Sequence, residues 1–585
     1  MRGHRVGNRG RALRRGRDEQ GRSVSSKSRP GKGAATLGFA ILGFLASQLG
    51  LVSLAGAVPP EDLAQSNRPL RVPQFSVVEL VVQGQQVLPD PFGEPLLLVE
   101  VTGPGESRTV EGFFDGDGQG GQSGNIWKAR FCPNRPGIWK WKAIQQVNGA
   151  ISRPEVEGEI ECIVSGEPGP LVTLGSHFEL AGAEPFSEVP LSSGAGPLYL
   201  VGNFLDLAHG LRSTQTFFAE STTDAQRTLI LNRQRNLHDV NFINFYLANR
   251  GDYDWQSVTP WVGNGKKSDK TRFDLSRWKM YEEWIEGVGR EGMLVCLWFF
   301  ADDSGFSSLS RAERERYLRY AMARTSAFSH TFYMIGLEYE EAFSDDVMRE
   351  MGEFLSRHNP WSRLISTHMI EGGEWNFRDE RWAHFITSQA GNESKAERVN
   401  GNARKFDREF SIPHLSVEFG HLRSDFDVAL LQRTWANLCG GAAGSGTGSG
   451  LKSLQRFLRE SRVPFQRMNP RNDLVDQGGM TRFCLAEPGH HYLVYSMSGN
   501  PHLRVDGDHL RGVWYDPYDS ESKWGTEFPV EARDQEFVSP DPSRDWVLWI
   551  SDGTNLNSGR THPGTLPPIV RVNVPPMDAA RALSR

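Results

Sequence analysis

Two glutamates are placed for chemistry by the strands that precede them. One stands in Tyr333-Met-Ile-Gly-Leu-Glu-Tyr-Glu-Glu341, where Glu338 directly follows an apolar run and is preferred over Glu340 and Glu341. The other is Glu418, in Leu415-Ser-Val-Glu-Phe-Gly420. Each reads as the exposed end of a buried strand. Two carboxylates at the mouth of one barrel can cleave a glycosidic bond: one gives a proton to the leaving oxygen and the other acts from the opposite side of the ring. On an extended segment Glu338 and Glu340 would share a side and Glu341 would face away. Glu340 and Glu341 otherwise read as the solvated start of a helix, Glu338 as a salt-bridged rim acid, and Glu418 as a buried structural acid. A buried charge with no partner or task is costly.

The elements that must carry these acids are marked by the apolar pattern between about 170 and 460. Leu198–Gly202, Val240–Tyr246, Met293–Phe300, the run ending at Gly336, Leu364–His368, His384–Ser388 and His414–Glu418 are strand-like. They alternate with charged helical stretches such as Leu275–Val288 and Ala312–Ser326. Near-continuous apolar strands between amphipathic helices indicate a parallel sheet covered by helices, here a (β/α)8 TIM barrel. Gly440–Gly450 is rich in glycine but lacks the Lys-Ser/Thr end of a phosphate loop, and reads as a loop under the last barrel strand, or else a linker. The GxGxxG spacing occurs at Gly116–Gly121, inside the polar Asp115–Gly124 turn, and at Gly287–Gly292, ahead of the strand Met293–Phe300, in neither case between a barrel strand and its following helix. No CxxC or HExxH occurs, so nucleotide, structural zinc and zincin chemistry have no support.

Two β-sandwiches are expected to flank the barrel. Residues 70–165 contain short β-branched strands, with Asp115–Gly124 as a glycine-rich hairpin connection rather than a calcium loop. Residues 465–555 contain Thr481–Ala486, Tyr492–Tyr495 and Trp546–Ile550. Residues 556–585, rich in Pro, Gly and Arg, read as a flexible tail. Residues 1–58 form a basic leader: arginines and lysines precede an apolar run from Ala34 to about Val58, and Ala55-Gly-Ala57 suits a signal-peptidase site. The run is also long enough for an uncleaved anchor. Either route exports the body to the periplasm, the cell surface or the exterior, and membrane attachment results only without cleavage.

Composition agrees with an exported enzyme. The net charge of -6 includes the basic leader, so the body is more acidic and suits no nucleic acid. Five cysteines are too few for a disulfide scaffold, although Cys132 and Cys162 fall in one small domain and could pair. The 16 tryptophans supply candidate sugar platforms, with core packing as the competing role.

Several motifs together resemble multidomain retaining glycoside hydrolases of clan A, a group formerly described as proteins of unknown function. Gly112–Asp117 and Arg130–Trp139 are similar to that group's accessory N-terminal β-sandwich, and Tyr492–Tyr495 with Trp514–Pro517 to its collagen-binding-like C-terminal domain. The resemblance implies an acid/base after the fourth barrel strand and a nucleophile after the seventh. Val417-Glu-Phe-Gly420 matches the nucleophile motif, which assigns Glu418. Glu338 aligns with the acid, but Leu337 and Tyr339 replace polar neighbours. Asn203, Asp206, Asn244, Tyr246, Trp298, His368, Trp375 and Gln389 resemble the substrate-binding rim, with Trp375 and Gln389 in loops. Arg433 and Trp435 resemble a structural helix motif. The implied reaction is double displacement on a polysaccharide or oligosaccharide, with no metal or organic cofactor. The alternatives are a non-catalytic glycan-binding or cell-surface protein on the same fold, and a polysaccharide lyase.

Overall fold

Eight parallel strands form one barrel-like sheet in the computed structural model. The described residues lie between 69 and 574, apart from 85–87, 94–96, 148–149, 152–155, 168, 183–195, 205–222, 249–258, 264–266, 302–305, 392–394, 421–425, 519–520, 522 and 558–561. All belong to the unit Pro59–Arg585, and the leader expected over residues 1–58 lies outside the described residues. No helix among the described residues is long and apolar enough to cross a membrane.

The barrel strands are β1 (Leu200–Phe204), β2 (Phe242–Tyr246), β3 (Leu294–Phe300), β4 (Thr331–Gly336), β5 (Ile365–Ser366), β6 (Ile386–Gln389), β7 (His414–Glu418) and β8 (Gly444–Ser445). β8 pairs with both β7 and β1. The remaining seam, between β5 and β6, is closed by a parallel bridge from His368 to Thr387, and Thr387 Oγ1 donates to the Thr367 carbonyl at 2.6 Å. Around the strands run α1 (Asp224–Asn236), α2 (Leu275–Arg290), α3 (Arg311–Thr325), α4 (Asp345–Arg357), α5 (Ala396–Glu409), α6 (Val428–Cys439) and α7 (Leu451–Ser461).

Both faces of these strands are buried, which explains their unbroken apolar sequences. Phe242 and Tyr246, Leu294 and Trp298, Phe332 and Met334, and Leu415 and Val417 fill the barrel interior. Ile243, Val295, Leu297, Tyr333 and Ile335 belong to the larger core that includes the helices. A hairpin of Leu171–Leu174 and His177–Leu180 plugs the interior with Leu171, Phe178 and Leu180.

Two departures from the expected barrel have local causes. The glycine-rich segment supplies β8 itself, rather than a loop beneath the last strand. At Gly444 a Cβ would come within 2.6 Å of Leu200 Cβ, so the close approach of β8 to β1 requires glycine. Between β5 and β6 there is no helix. Phe377 and Trp382 are buried there, with ring centroids 5.1 Å apart, and fill the groove a helix would occupy. Gly352 on α4 admits Trp382, whose ring would lie 2.2 Å from an added Cβ.

The N-terminal sandwich places a sheet of Leu70–Pro73, Val156–Ile163, Gly137–Val147, Leu97–Gly103 and Glu106–Glu111 beside a second of Val78–Gln83, Ile126–Phe131 and Phe113–Phe114. The second sheet has a further strand from the far end of the chain. Val570–Val574, expected in a flexible tail, pairs in parallel with Val78–Val82. The backbone N–H groups of Leu566 and Val570 donate to Gly289 and Val77 at 2.9 and 2.8 Å, fastening this return segment to α2 and to the sandwich. Its alternating Val-Arg-Val-Asn-Val pattern suits a half-buried edge strand, and Arg571 reaches Glu79 at 3.1 Å.

A buried charge network joins sandwich and barrel. Arg130 pairs with Glu79 at 2.6 Å and with Glu282 of α2 at 2.8 Å, while Arg324 of α3 pairs with Glu282 at 2.5 Å and with Asp115 at 2.9 Å. Burial alone would raise the Glu282 carboxyl, but the two guanidiniums hold it down at about 2. All five cysteines are buried free thiols, so Cys132 and Cys162 are not joined. In the Asp115–Gly124 turn, Asp117 accepts from the Gln119 and Gly121 backbones, as a hairpin connection does.

The C-terminal sandwich centres on Arg482–Glu487, His491–Ser496, Trp546–Ser551 and Arg511–Tyr515. Trp435 of α6 is fully buried and stacks on Tyr495 of this sheet at 5.8 Å, a packing role for that helix residue.

Candidate active site

Glu338, two residues past the end of β4, is in a left-handed conformation, φ +42° and ψ +52°. A non-glycine residue there costs about 1–3 kcal/mol and persists only when its surroundings enforce it. His368, just after β5, supplies much of that enforcement. Its backbone N–H donates to Gly336 at 3.0 Å, its carbonyl accepts from Tyr339 at 3.1 Å, and its ring Nδ1 accepts from the Glu338 N–H at 3.4 Å. Nδ1 is thus the acceptor and the proton belongs on Nε2. Burial pushes the His368 imidazole down to about 3, so it is neutral.

The turn at Glu338 redirects the chain beyond it. Tyr339–Glu341 form one 3-10 turn, so Glu338 and Glu340 do not share a side as on an extended segment. Glu340 instead accepts from the Ile370 N–H at 2.9 Å and ties the β4 loop to the β5 loop. Tyr339 is buried against Phe377 and donates to Asp345 at 2.9 Å. Leu337 packs against the barrel-interior cluster.

Glu418 ends β7 beside an irregularity in the ladder. Ser388 faces Ser416, yet the next residue of β6, Gln389, faces Glu418. Leu415 and Val417 point inward, so an unbroken alternation would send Glu418 outward to the helices. The extra residue re-aims it, as bulges beside active sites do. Phe419 takes the outward direction and is buried with Val399 of α5 and Leu430 of α6. Arg433 of α6 then holds the Phe419 carbonyl at 2.7 Å. At Gly420, φ +146°, a Cβ would lie 2.5 Å from that guanidinium, so glycine is needed.

Gln389 links the two acids. It ends strand β6 rather than sitting in a loop; its side-chain amide donates to Glu338 Oε1, and its backbone lies opposite Glu418. Adjacent strands lie about 4.8 Å apart, so both half-buried glutamates occupy one sector of the barrel mouth.

The other predicted site residues separate into layers. Asn244, Tyr246 and Trp298 form the floor of the mouth. Trp298 Nε1 donates to Asn244 Oδ1 at 3.1 Å, and the Asn244 amide donates to the Gly446 carbonyl at 3.4 Å. Trp298 is fully buried, edge-on to His368 at 5.7 Å, and Tyr246 is buried against Phe204, so neither is an open stacking platform. Asn203 is turned out of the interior, its amide donating to Gln234 of α1 at 3.1 Å. It is drawn there by a buried polar partner that strand-end position does not reveal. Trp375 is buried against Phe377 in the plug between β5 and β6. Asp206 lies outside the described residues. One rim acid escapes the sequence pattern: Glu371, after β5, pairs with Arg398 at 2.7 Å and packs against Gly391, two residues past Gln389. Its place after Thr367-His368 is the signal that could have found it. Among the described residues no group of three or more His, Cys, Asp or Glu could hold a metal ion.

Comparison with known proteins adds two matches to parts of the chain and a fold. Residues 218–479 match the model of an apiosidase-like catalytic domain, and residues 71–146 match a domain of unknown function, DUF5060. Among solved structures, a candidate glycoside hydrolase from Bacteroides vulgatus ATCC 8482 shares the fold at 16% identity and TM-score 0.61, covering 82% of this chain and 99% of its own. A glycoside hydrolase family 5 protein from the same organism is 14% identical with TM-score 0.51, covering 68% of this chain and 97% of its own. No curated protein matches by sequence. The matched catalytic-domain model supports enzymatic function of glycosidase type, acting on glycans. The chain is a glycoside-hydrolase-like multidomain protein with an N-terminal DUF5060 domain and a (β/α)8-like barrel.

Proposed function

We propose that the protein is an exported retaining glycoside hydrolase of the clan A type, acting on a polysaccharide or oligosaccharide. Glu418 attacks the anomeric carbon while Glu338 gives its proton to the departing glycosidic oxygen. Glu338 then takes a proton from water, whose oxygen attacks the same carbon and releases Glu418. The observation that carries this reading is the Gln389 link, with one side chain bound to Glu338 and its backbone in register with Glu418. The apiosidase-like match makes an apiose-bearing glycan the first substrate to test. The two sandwiches are accessory modules. The motif residues Tyr492, Tyr495 and Trp514 are buried, so the likeness to collagen-binding-like domains concerns packing and not a ligand.

A non-catalytic glycan-binding protein on the same fold is the second reading. It is favoured by Leu337, which packs against the interior cluster where related enzymes carry a polar residue before the acid. Hydrolysis of diverse plant, algal and bacterial polysaccharides by the native protein and by Glu418→Gln, read out by product size, tests both. Turnover by the native protein alone supports the enzyme. Equal turnover by both forms refutes the role of Glu418, and binding without turnover by either supports the second reading.

A further inference from the structure

A cavity of about 420 Å3 lies between the end of α7 and the C-terminal sandwich, lined in part by Glu460, Arg511, Trp524, Glu527, Trp549 and Asp552. That volume suits a small ligand or a few sugar rings. The helix that borders it comes after β8 and therefore returns towards the N-terminal ends of the strands. Glu460, near its last residue, is at the end opposite Glu338 and Glu418. The cavity is not part of the barrel mouth.

We infer that this cavity is a second glycan-binding site, for a neutral saccharide chain. The choice of ligand rests on the glycan reading of the barrel; the site itself rests on its own walls. Trp524 is half-buried, and its orientation is fixed twice: its indole N–H donates to Glu460 at 2.6 Å, and its ring stacks on Phe457 at 5.5 Å with 26° between planes. Trp549 is buried and stacked on His491 at 5.6 Å, so it forms wall and leaves Trp524 as the platform. A rigid, part-exposed indole such as that of Trp524 suits the C–H face of a sugar and loses little freedom on binding. Two glycines keep the space open. An added Cβ at Gly553 meets nothing within 4 Å, and at Gly525 it meets only ordinary contacts from 3.4 Å outward.

The polar groups favour an uncharged chain. Glu460 and Asp552 already accept from Trp524, Arg456, His490 and Thr554, which leaves their remaining lone pairs, with Glu527 and its partner Arg511, to exchange hydrogen bonds with sugar hydroxyls. Each wall carboxylate has a basic partner (Arg456 on Glu460 at 3.1 Å, Arg511 on Glu527 at 2.9 Å, His490 on Asp552 at 2.7 Å), so among the described residues the cavity offers no unpaired guanidinium or ammonium to hold a uronate or phosphate. The site tethers a polymer while the barrel mouth engages another part of it or another chain.

Affinity electrophoresis of the full Glu418→Gln protein through gels containing xyloglucan, galactomannan or arabinan, with polygalacturonate as the acidic comparison, tests this. Retardation by at least one neutral polymer is expected, and it should weaken about tenfold or more in Trp524→Ala. Gly525→Gln fills the cavity from an exposed position without removing core, and should weaken retardation equally with an unchanged melting temperature. No retardation by any neutral polymer, stronger retardation by polygalacturonate, or retardation that both substitutions leave intact would overturn the inference. The result is independent of the mechanism: Trp524-dependent retention stands even if the barrel proves inactive, and hydrolysis without such retention removes only the second site.

Discussion

The side-chain amide of Gln389 donates to the Glu338 carboxylate across the ends of β6 and β4. This contact orients an acid whose backbone is already held left-handed by His368. Gln389→Ala removes the orienting donor and leaves the strands intact. The expected result is a kcat about 10- to 100-fold lower with a smaller change in KM, because misplacing a reacting group by about 1 Å costs that much. Steady-state kinetics on one soluble substrate read the split. Unchanged kcat would show that the amide has no positioning role.

The two glutamates should respond differently to the leaving group. In the proposed mechanism Glu338→Gln removes the proton donor, which contributes about 10²–10⁴-fold for a poor leaving group. An activated aryl glycoside needs little protonation, so its first-step rate should be nearly retained. Glu418→Gln should abolish both reactions. Pre-steady-state release of the aryl group separates the two variants.

Acid should destabilise the fold through its neutral histidines before it reaches the Arg–Glu network. Burial pushes His368 and His414 down to about 3 and His330 to about 4. Below the ordinary histidine value the unfolded chain binds protons that the native chain refuses, so stability falls as pH drops from about 6.5 towards 3. Asp407, pushed up to about 6 by burial, opposes this, as do Glu286, Glu340 and Asp545, which burial also raises. Melting temperatures between pH 7 and 4 should fall, and His330→Gln should flatten the slope. A slope unaltered by that change would remove His330 from the explanation.

The network at Glu282 acts in a lower window. Its carboxyl is held at about 2, against 4.5 ordinarily, so its stabilisation is complete above about pH 4.5 and is lost as pH falls towards 2. Glu282→Gln leaves Arg130 and Arg324 short of a buried counter-charge, which costs about 3–5 kcal/mol. Chemical denaturation at neutral pH should show a loss of that size, and near pH 2 the native and variant proteins should converge.

The return strand should matter to the N-terminal sandwich. Deleting residues 562–585 leaves Val78–Val82 without a parallel partner. Hydrogen exchange should quicken in that strand and remain slow in β2–β4. Unchanged exchange in Val78–Val82 would show that Val570–Val574 contributes nothing to the sheet's stability.

Much of this architecture is legible in the residues. Runs such as Met293–Phe300 are apolar throughout because both strand faces are buried, and Glu338 and Glu418 stand out because each interrupts such a run at its exposed end. The irregularity that turns Glu418 inward is not legible, since it depends on a one-residue offset against β6. Nor is β8: a strand of glycine and serine has no strand propensity, and only the proximity of Leu200 explains it. The tryptophans mislead for a related reason. Trp298 and Trp375 have the composition of sugar platforms, yet the floor and the plug bury them. Asn203 sits at a strand end like the acids, but Gln234 of α1 takes its amide. The return strand is hidden because its partner lies almost five hundred residues earlier.

The most direct measurement is the anomeric configuration of the first-formed product, tracked by proton NMR during hydrolysis of a substrate of known configuration. Glu338 and Glu418 acting by double displacement yield the same anomer as the substrate before mutarotation. Immediate appearance of the opposite anomer would mean that water attacks directly, and that Glu418 is not a nucleophile.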